Sequence, residues 1–280
     1  MMNIYWGMKI FGRYEVMELK IRVANPAGNV TIFVMSPVKR EDYATISREL
    51  LCMEELHGEQ IGFVEQKQDG SYHMEMMGGE FCGNATRSFG YLLSMLFKEQ
   101  EDEIWVDVSG SKKKLRVEVD MEKGSARTEM PLPLEIKEIF VNEESFSMVV
   151  FQGICHIIVN GPPKSQEFVD ELIEKAKSIY YCDAYGVMFL EKNQMIPVVY
   201  VESTASMVWE SSCGSGSMGA AVYLSKDIDT GEFVYELYQP GGMIEAYVKK
   251  EEGKVLSCKM GGPVTISGEM KVDIRWNKEN

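Results

Sequence analysis

Short segments crowded with β-branched and other apolar residues punctuate the chain at residues 29–35, 104–108, 115–119, 148–151 and 196–201, and each predicts a strand. A different period governs the stretches between them. Over residues 41–55, 84–97 and 167–180 apolar side chains recur at i, i+3 and i+4 with polar residues opposite, the pattern of a helix that buries one face. Residues 217–224 are small or apolar on nearly every side, so that helix is expected to be enclosed. The longest uncharged stretch, residues 145–163, is interrupted by Gln152, Gly153, His156, Asn160 and Gly161 and reads as strands and turns, not as a membrane span. The sum is a strand-rich α+β chain.

The pattern also repeats. Around Cys82 the chain reads GEFCGNATRSFGYLL and around Cys213 it reads ESSCGSGSMGAAVYL; Cys-Gly falls over Cys-Gly, Asn84 over Ser215 and Leu93 over Leu224, 131 residues on. Upstream, IGFVE from Ile61 echoes GVMFLE from Gly186 at an offset of 126, with Phe63 over Phe189. Two nearly equal offsets indicate duplicated halves. A length of 280 residues, at about 150 per domain, agrees. The expected halves are residues 1–130, completed by residues 263–280, and residues 131–262, each a strand-rich unit around at least one inner helix, with the site in the cleft between them.

Charge narrows the partners. With 29 basic and 43 acidic residues the net charge is −14, and the densest basic run is Lys112 to Lys114, so neither nucleic acid nor an anionic membrane is an expected partner. A small molecule is; the number of subunits stays open, a homodimer among the options. The opening residues carry Lys9, Arg13 and Glu15 without a leader's apolar core, so a secretory signal is not expected. Six cysteines, at 52, 82, 155, 182, 213 and 258, include no Cys-x-x-Cys pair, which argues against zinc and against a disulfide framework. Reduced thiols in a cytoplasmic protein are the expectation, with Cys52, Cys155, Cys182 and Cys258 as small buried apolar groups.

Cys82 and Cys213 stand apart because each precedes a predicted helix in the same Cys-Gly turn, beside a capping residue, Asn84 or Ser215. Free N–H groups and the positive end of the macrodipole make a helix start an anion site and are expected to lower a thiol's pKa. Two such turns facing one cleft would put a sulfur on either face of a carbon acid, one removing the α-proton and the other returning one. A disulfide switch between the two is a second reading of the pair.

In order, AGNVTIF from Ala27, GEFCGN from Gly79, SSCGSG from Ser211, QPGG from Gln239 and MGGP from Met260 resemble the motifs of the diaminopimelate epimerase family. The resemblance implies the two-barrel fold, a two-base mechanism without pyridoxal phosphate or other cofactor, Cys82 and Cys213 as the acid/base pair, and Asn29, Gln60, Gly83, Asn84, Gly214 and Ser215 as substrate contacts. The departures lie in the family's readers of a second amino-acid head. Glu202 is followed by Ser203 where an arginine is expected, Gly153, Ile154, Cys155 and His156 stand in place of Gly-Asn-Pro-His, and Gly186 replaces an asparagine. Without a guanidinium fork a second buried carboxylate goes unmatched, at a cost of several kcal/mol.

The histidine racemases of staphylopine-type metallophore biosynthesis are more similar. They share the NPAGN start at Asn25, the Glu59-Gln60 run before Gly62-Phe63, the block ending at Thr86, and Trp209-Glu210 ahead of Ser-Cys-Gly-Ser-Gly. By that resemblance Glu59 and Glu210 are expected near the substrate, where a carboxylate suits an imidazole of pKa near 6.5. His73, which takes the place of a substrate-reading asparagine, is a further candidate contact, and His156 is expected to be structural. The expected activity is interconversion of L- and D-histidine. The alternatives are an epimerase of diaminopimelate or a racemase of another amino acid, and a non-catalytic amino-acid-binding module.

Overall fold

The computed structural model describes residues 9–11, 14–97 and 102–277; most of the opening segment weighed as a leader lies outside the described residues. The fold is α+β, strand-rich with few helices. Tyr14–Asn25 pairs antiparallel with Thr31–Val34, which runs parallel to Gln60–Gln66; Tyr72–Met76 follows antiparallel, Glu103–Val108 parallel, then Leu115–Asp120 and Ser125–Met130 antiparallel. The same order of senses then runs again. Glu144–Phe151 pairs antiparallel with Ile154–Asn160, Ala184–Glu191 follows parallel, Gln194–Val201 antiparallel, Gly231–Gln239 parallel, and Gly242–Glu251 and Lys254–Gly261 antiparallel. Antiparallel pairing of Ser125–Met130 with Lys254–Gly261 joins the two runs, and Met270–Asn277 returns to pair with Tyr14–Asn25.

Parallel neighbours need a crossover, and each of four helices lies on one. Helices α1 (Tyr43–Leu51) and α3 (Gln166–Ile179) connect the first parallel pair of each run, while α2 (Gly83–Phe97) and α4 (Gly214–Leu224) lie on the second. Alternation along the strands sends one set of side chains to each side. Ile61 and Phe63 pack with Ile46 and Leu50 of α1, whereas Val64, Met74 and Met76 pack with Phe89 and Leu92 of α2. In the second run Cys155, Ile157, Val159 and Phe189 face α3, and Ile158 and Met188 face α4. Phe63 and Phe189, matched by the repeat, thus do the same work against α1 and α3.

The stretch at 145–163 is a hairpin turning at Gly153 (φ +83°), and among the described residues no helix is long and apolar enough to cross a membrane. Three expectations need correction. The helix expected over 41–55 is α1 flanked by two 3₁₀ turns: Met53 becomes extended and His57 left-handed (φ 50°), which turns Leu56 back into the core while Glu54 and Glu55 stay out. Cys52, expected to be buried, is exposed at that break. Helix α4 also starts three residues earlier than expected, because Cys213 itself caps it by accepting from the Gly216 N–H.

Helix α2 approaches Leu115–Asp120 closely at Gly90, where an added Cβ would fall 2.6 Å from Val117 Cβ. Alanine in an exposed helix normally stabilises by about 1 kcal/mol over glycine. Here the sign is expected to reverse: Gly90→Ala costs about 1–3 kcal/mol through overpacking, read as a lower denaturant midpoint. An unchanged or raised midpoint contradicts this account of the contact.

Candidate active site

The two thiols hold matching positions. The Ala85 N–H donates to Cys82 Sγ at 3.4 Å, and the Thr86 hydroxyl and N–H to the Cys82 carbonyl at 2.7 and 2.9 Å. At the other turn the Gly216 N–H donates to Cys213 Sγ at 3.4 Å, and the Ser217 hydroxyl and N–H to the Cys213 carbonyl at 2.7 and 2.9 Å. Each turn is steadied by an amide from a neighbouring strand. The Gln60 amide N–H donates to Cys82 Sγ (3.3 Å), Asn29 Oδ1 (2.8 Å) and Thr31 Oγ1 (2.8 Å). Gln239 accepts from the Cys213 N–H (2.8 Å) and donates to Ser217 Oγ (3.0 Å).

The two helix starts meet over one side chain. A Cβ on Gly83 would lie 2.8 Å from Met260 Cε, and one on Gly214 would lie 2.5 Å from Met260 Sδ and 3.8 Å from Asn84 Nδ2. The loop carrying Asn29 is seated on the second half as well: a Cβ on Gly28 (φ +85°) would strike Gly241 Cα at 2.4 Å, and the Gly241 N–H donates to the Ser211 carbonyl at 2.8 Å. Asn29, Glu59, Gln60, Cys82, Gly83 and Asn84 are thereby brought against Glu210, Cys213, Gly214 and Ser215. Glu59, held by the Asn29 amide at 3.0 Å, and Glu210 are close enough to feel each other's charge.

Burial sets the electrostatics here. It pushes the Glu210 carboxyl up to about 7, with Glu59's charge adding to the rise and the Cys213 hydrogen bond opposing it. The expected lowering of the thiols does not occur. Burial raises Cys82 against the N–H groups of Ala85 and Gln60, and raises Cys213 well above a normal thiol, with Glu210's charge adding to it. The helix dipole acts on both sulfurs, but desolvation of a thiolate outweighs it.

His73 is not among the gathered residues. It pairs across the sheet with Glu65, so its ring falls on the α1 side, between Glu75 Oε2 (3.0 Å) and Asp107 Oδ1 (3.4 Å), while α2 and the thiol occupy the other side. His156, left structural by the sequence reading, instead reaches the site: its Nε2 lies 3.0 Å from Ser215 Oγ, which is 3.6 Å from Cys213 Sγ. Burial drives His156 down to about 3, so the ring is neutral. Met260 and Thr31 also belong to the site, and neither carries a reactive group that would mark it in a sequence.

The family model for the histidine racemase CntK N-terminal domain matches residues 18–272. A histidine racemase of Fusobacterium nucleatum is 34% identical over 277 residues, covering 94% of this chain and 99% of that protein. Another from Staphylococcus aureus is 30% identical over 257 residues, covering 86% and 92%. Solved structures with a similar fold include a PhzF-family phenazine biosynthesis protein of Enterococcus faecalis (TM-score 0.63, 13% identity, 91% of this chain and 99% of that one). A hydroxyproline epimerase of Agrobacterium vitis is a second (TM-score 0.60, 12% identity, 92% and 93%). The chain belongs to the histidine racemase family and is an isomerase of the racemase and epimerase kind.

Proposed function

We propose that this enzyme interconverts L- and D-histidine, with Cys82 and Cys213 alternating as base and acid at one α-carbon. The observation that carries the reading is the matched pair of thiol turns whose helix starts abut over Met260. In one direction a thiolate takes the α-proton and the opposed thiol returns its own proton to the other face; configuration inverts, and the two sulfurs exchange protonation states. Charge developing on the substrate carboxylate is met by helix-start N–H groups, which have no intrahelical acceptor, and by both dipoles. The scheme calls for neither pyridoxal phosphate nor metal.

Histidine is favoured by the carboxylates. Glu210, near 7, and an imidazole, near 6.5, share a proton at little cost, and a charge-assisted hydrogen bond results. Diaminopimelate would instead bring a second carboxylate toward Glu59 and Glu210, with no guanidinium to receive it. We further read residues 1–130 with 263–280, and residues 131–262, as duplicated halves enclosing the site. A cytoplasmic setting suits two working thiols, and a role in metallophore assembly rests on the family resemblance.

Single L-amino acids in heavy water test the activity by α-deuteration. Exchange is expected with histidine and abolished in Cys82→Ser and Cys213→Ser; exchange with diaminopimelate alone, or full activity in either serine variant, overturns the reading. Glu210→Gln is expected to lower histidine turnover at least tenfold, and unchanged kinetics would remove Glu210 from recognition.

Glu210 also has a signature in stability. The unfolded chain loses this proton near 4.5 and the folded chain near 7, so stability falls as pH rises between those values. Allowing for partial exposure, wild type should lose about 2 kcal/mol relative to Glu210→Gln across that window, measured by urea unfolding. Parallel curves for the two proteins would mean that Glu210 titrates normally.

A further inference from the structure

Two buried thiols that the proposed reaction does not use lie against each other. Cys155 stands in Ile154–Asn160, and Cys182 stands in the short link between α3 and Ala184–Glu191. Their sulfurs are 2.7 Å apart. Unbonded carbon atoms rest at about 3.5–4.0 Å and sulfur is the larger atom, so the contact is closer than packing alone produces. A bond of about 2.05 Å is reached by moving the sulfurs a few tenths of an ångström. Both thiols are enclosed, as expected, at 0% and 3% exposure; that they are enclosed together was not visible in a spacing of 27 residues.

Backbone hydrogen bonds fix the approach. The Asp183 and Ala184 N–H groups both donate to the Gly153 carbonyl, at 3.0 and 3.1 Å, so the residue after Cys182 is tied to the one two places before Cys155. From there Ile154–Asn160 and Ala184–Glu191 run on as parallel neighbours, with Cys155 opposite Tyr185. The Tyr185 hydroxyl holds the link from its other end, accepting from the Cys182 N–H at 2.8 Å and donating to the Tyr180 carbonyl at 3.0 Å. Both sulfurs belong to the apolar cluster beneath α3, and among the described residues each is the other's one hydrogen-bonding partner. Cys155 faces α3, while His156, next along the strand, faces Ser215, so the pair lies on the side away from Cys213.

We propose that Cys155 and Cys182 are a disulfide-forming pair, oxidised by hydrogen peroxide to a cross-link that ties the end of α3 to the strand beside it. Cys182 reacts first. Its neighbour Tyr181 is 79% exposed, whereas Cys155 lies wholly inside. Burial raises both thiols, and the hydrogen bond between them adds to that rise at Cys155 but opposes it at Cys182. The Cys182 thiolate, a minor form at neutral pH, attacks one peroxide oxygen: an S–O bond forms, the O–O bond breaks, and the departing hydroxide takes up the proton that Cys182 gave up. Cys155 then attacks the sulfenic sulfur. The S–S bond forms, the S–O bond breaks, and the second hydroxide leaves as water with the Cys155 proton. Two thiols and one peroxide give one disulfide and two waters, with two electrons passing from sulfur to oxygen. The assignment goes beyond the racemase reading and does not depend on it.

The test treats the reduced protein with hydrogen peroxide, blocks the remaining thiols with N-ethylmaleimide and maps the digest by mass spectrometry. A Cys155–Cys182 peptide pair is expected, lighter by two hydrogens than the separate thiol peptides and released by dithiothreitol. It should form faster as pH rises, because the thiolate is the reacting form. Cys182→Ala and Cys155→Ala should each lack the pair and show the remaining thiol alkylated. Oxidised wild type should melt about 5 °C or more above the reduced protein, since the link closes a loop in the unfolded chain, and the gain should vanish in Cys182→Ala. Full alkylation of both positions after prolonged peroxide overturns the assignment. So does a Cys82–Cys213 link formed while Cys155 and Cys182 stay free, or an oxidised protein that melts no higher than the reduced one. If an alanine variant does not fold, the wild-type peptide map and melting curves decide. None of these readouts needs substrate, so a cross-linked protein without α-deuteration refutes the racemase reading and leaves the thiol pair standing.

Discussion

Everything at the site depends on how closely two helix starts approach one thioether. Gly83 and Gly214 do not have left-handed backbones, so conformational freedom is not what they supply. They supply the absence of a Cβ, which in either place would lie within 2.8 Å of Met260. Any side chain there would have to displace the end of the Met260 side chain that fills the space between the two turns. The same device fixes the Asn29 loop, since Gly28 and Gly241 sit backbone against backbone. Close packing of this kind transmits displacement instead of absorbing it, which is why two sequence-distant turns can hold a common geometry.

Within that frame the electrostatics run against the simplest expectation. A helix start favours a thiolate, yet both sulfurs are driven upward, because removing a thiolate from water costs more than a few N–H groups and a half-charge of dipole return. Glu210 is lifted for the same reason. A site of this sort holds its protons until a charged substrate supplies partners. On the proposed reading an imidazolium meets the combined charge of Glu59 and Glu210, and the thiols meet the polarised Cα–H of an amino acid.

What could be read from the sequence was what is local. The repeated Cys-Gly turns, the inner helices α2 and α4 and the strand runs follow from spacing and side-chain shape alone, and the structure has each of them, with α4 starting three residues earlier. Face assignments were less legible. His73 lies near the first thiol in sequence, but its partner across the sheet, Glu65, sends it to the α1 side, and that parity is set by register with Gln60–Gln66. His156 enters the site because its parallel neighbour Gly186 has no Cβ to fill the space its ring takes; an added one would stand 2.3 Å from Nδ1. The burial of Arg87 in α2 was invisible for a different reason: a charged residue in an amphipathic pattern reads as solvent-facing, and Arg87 is held inside by hydrogen bonds to the Gly262 and Pro263 carbonyls, 175 and 176 residues away.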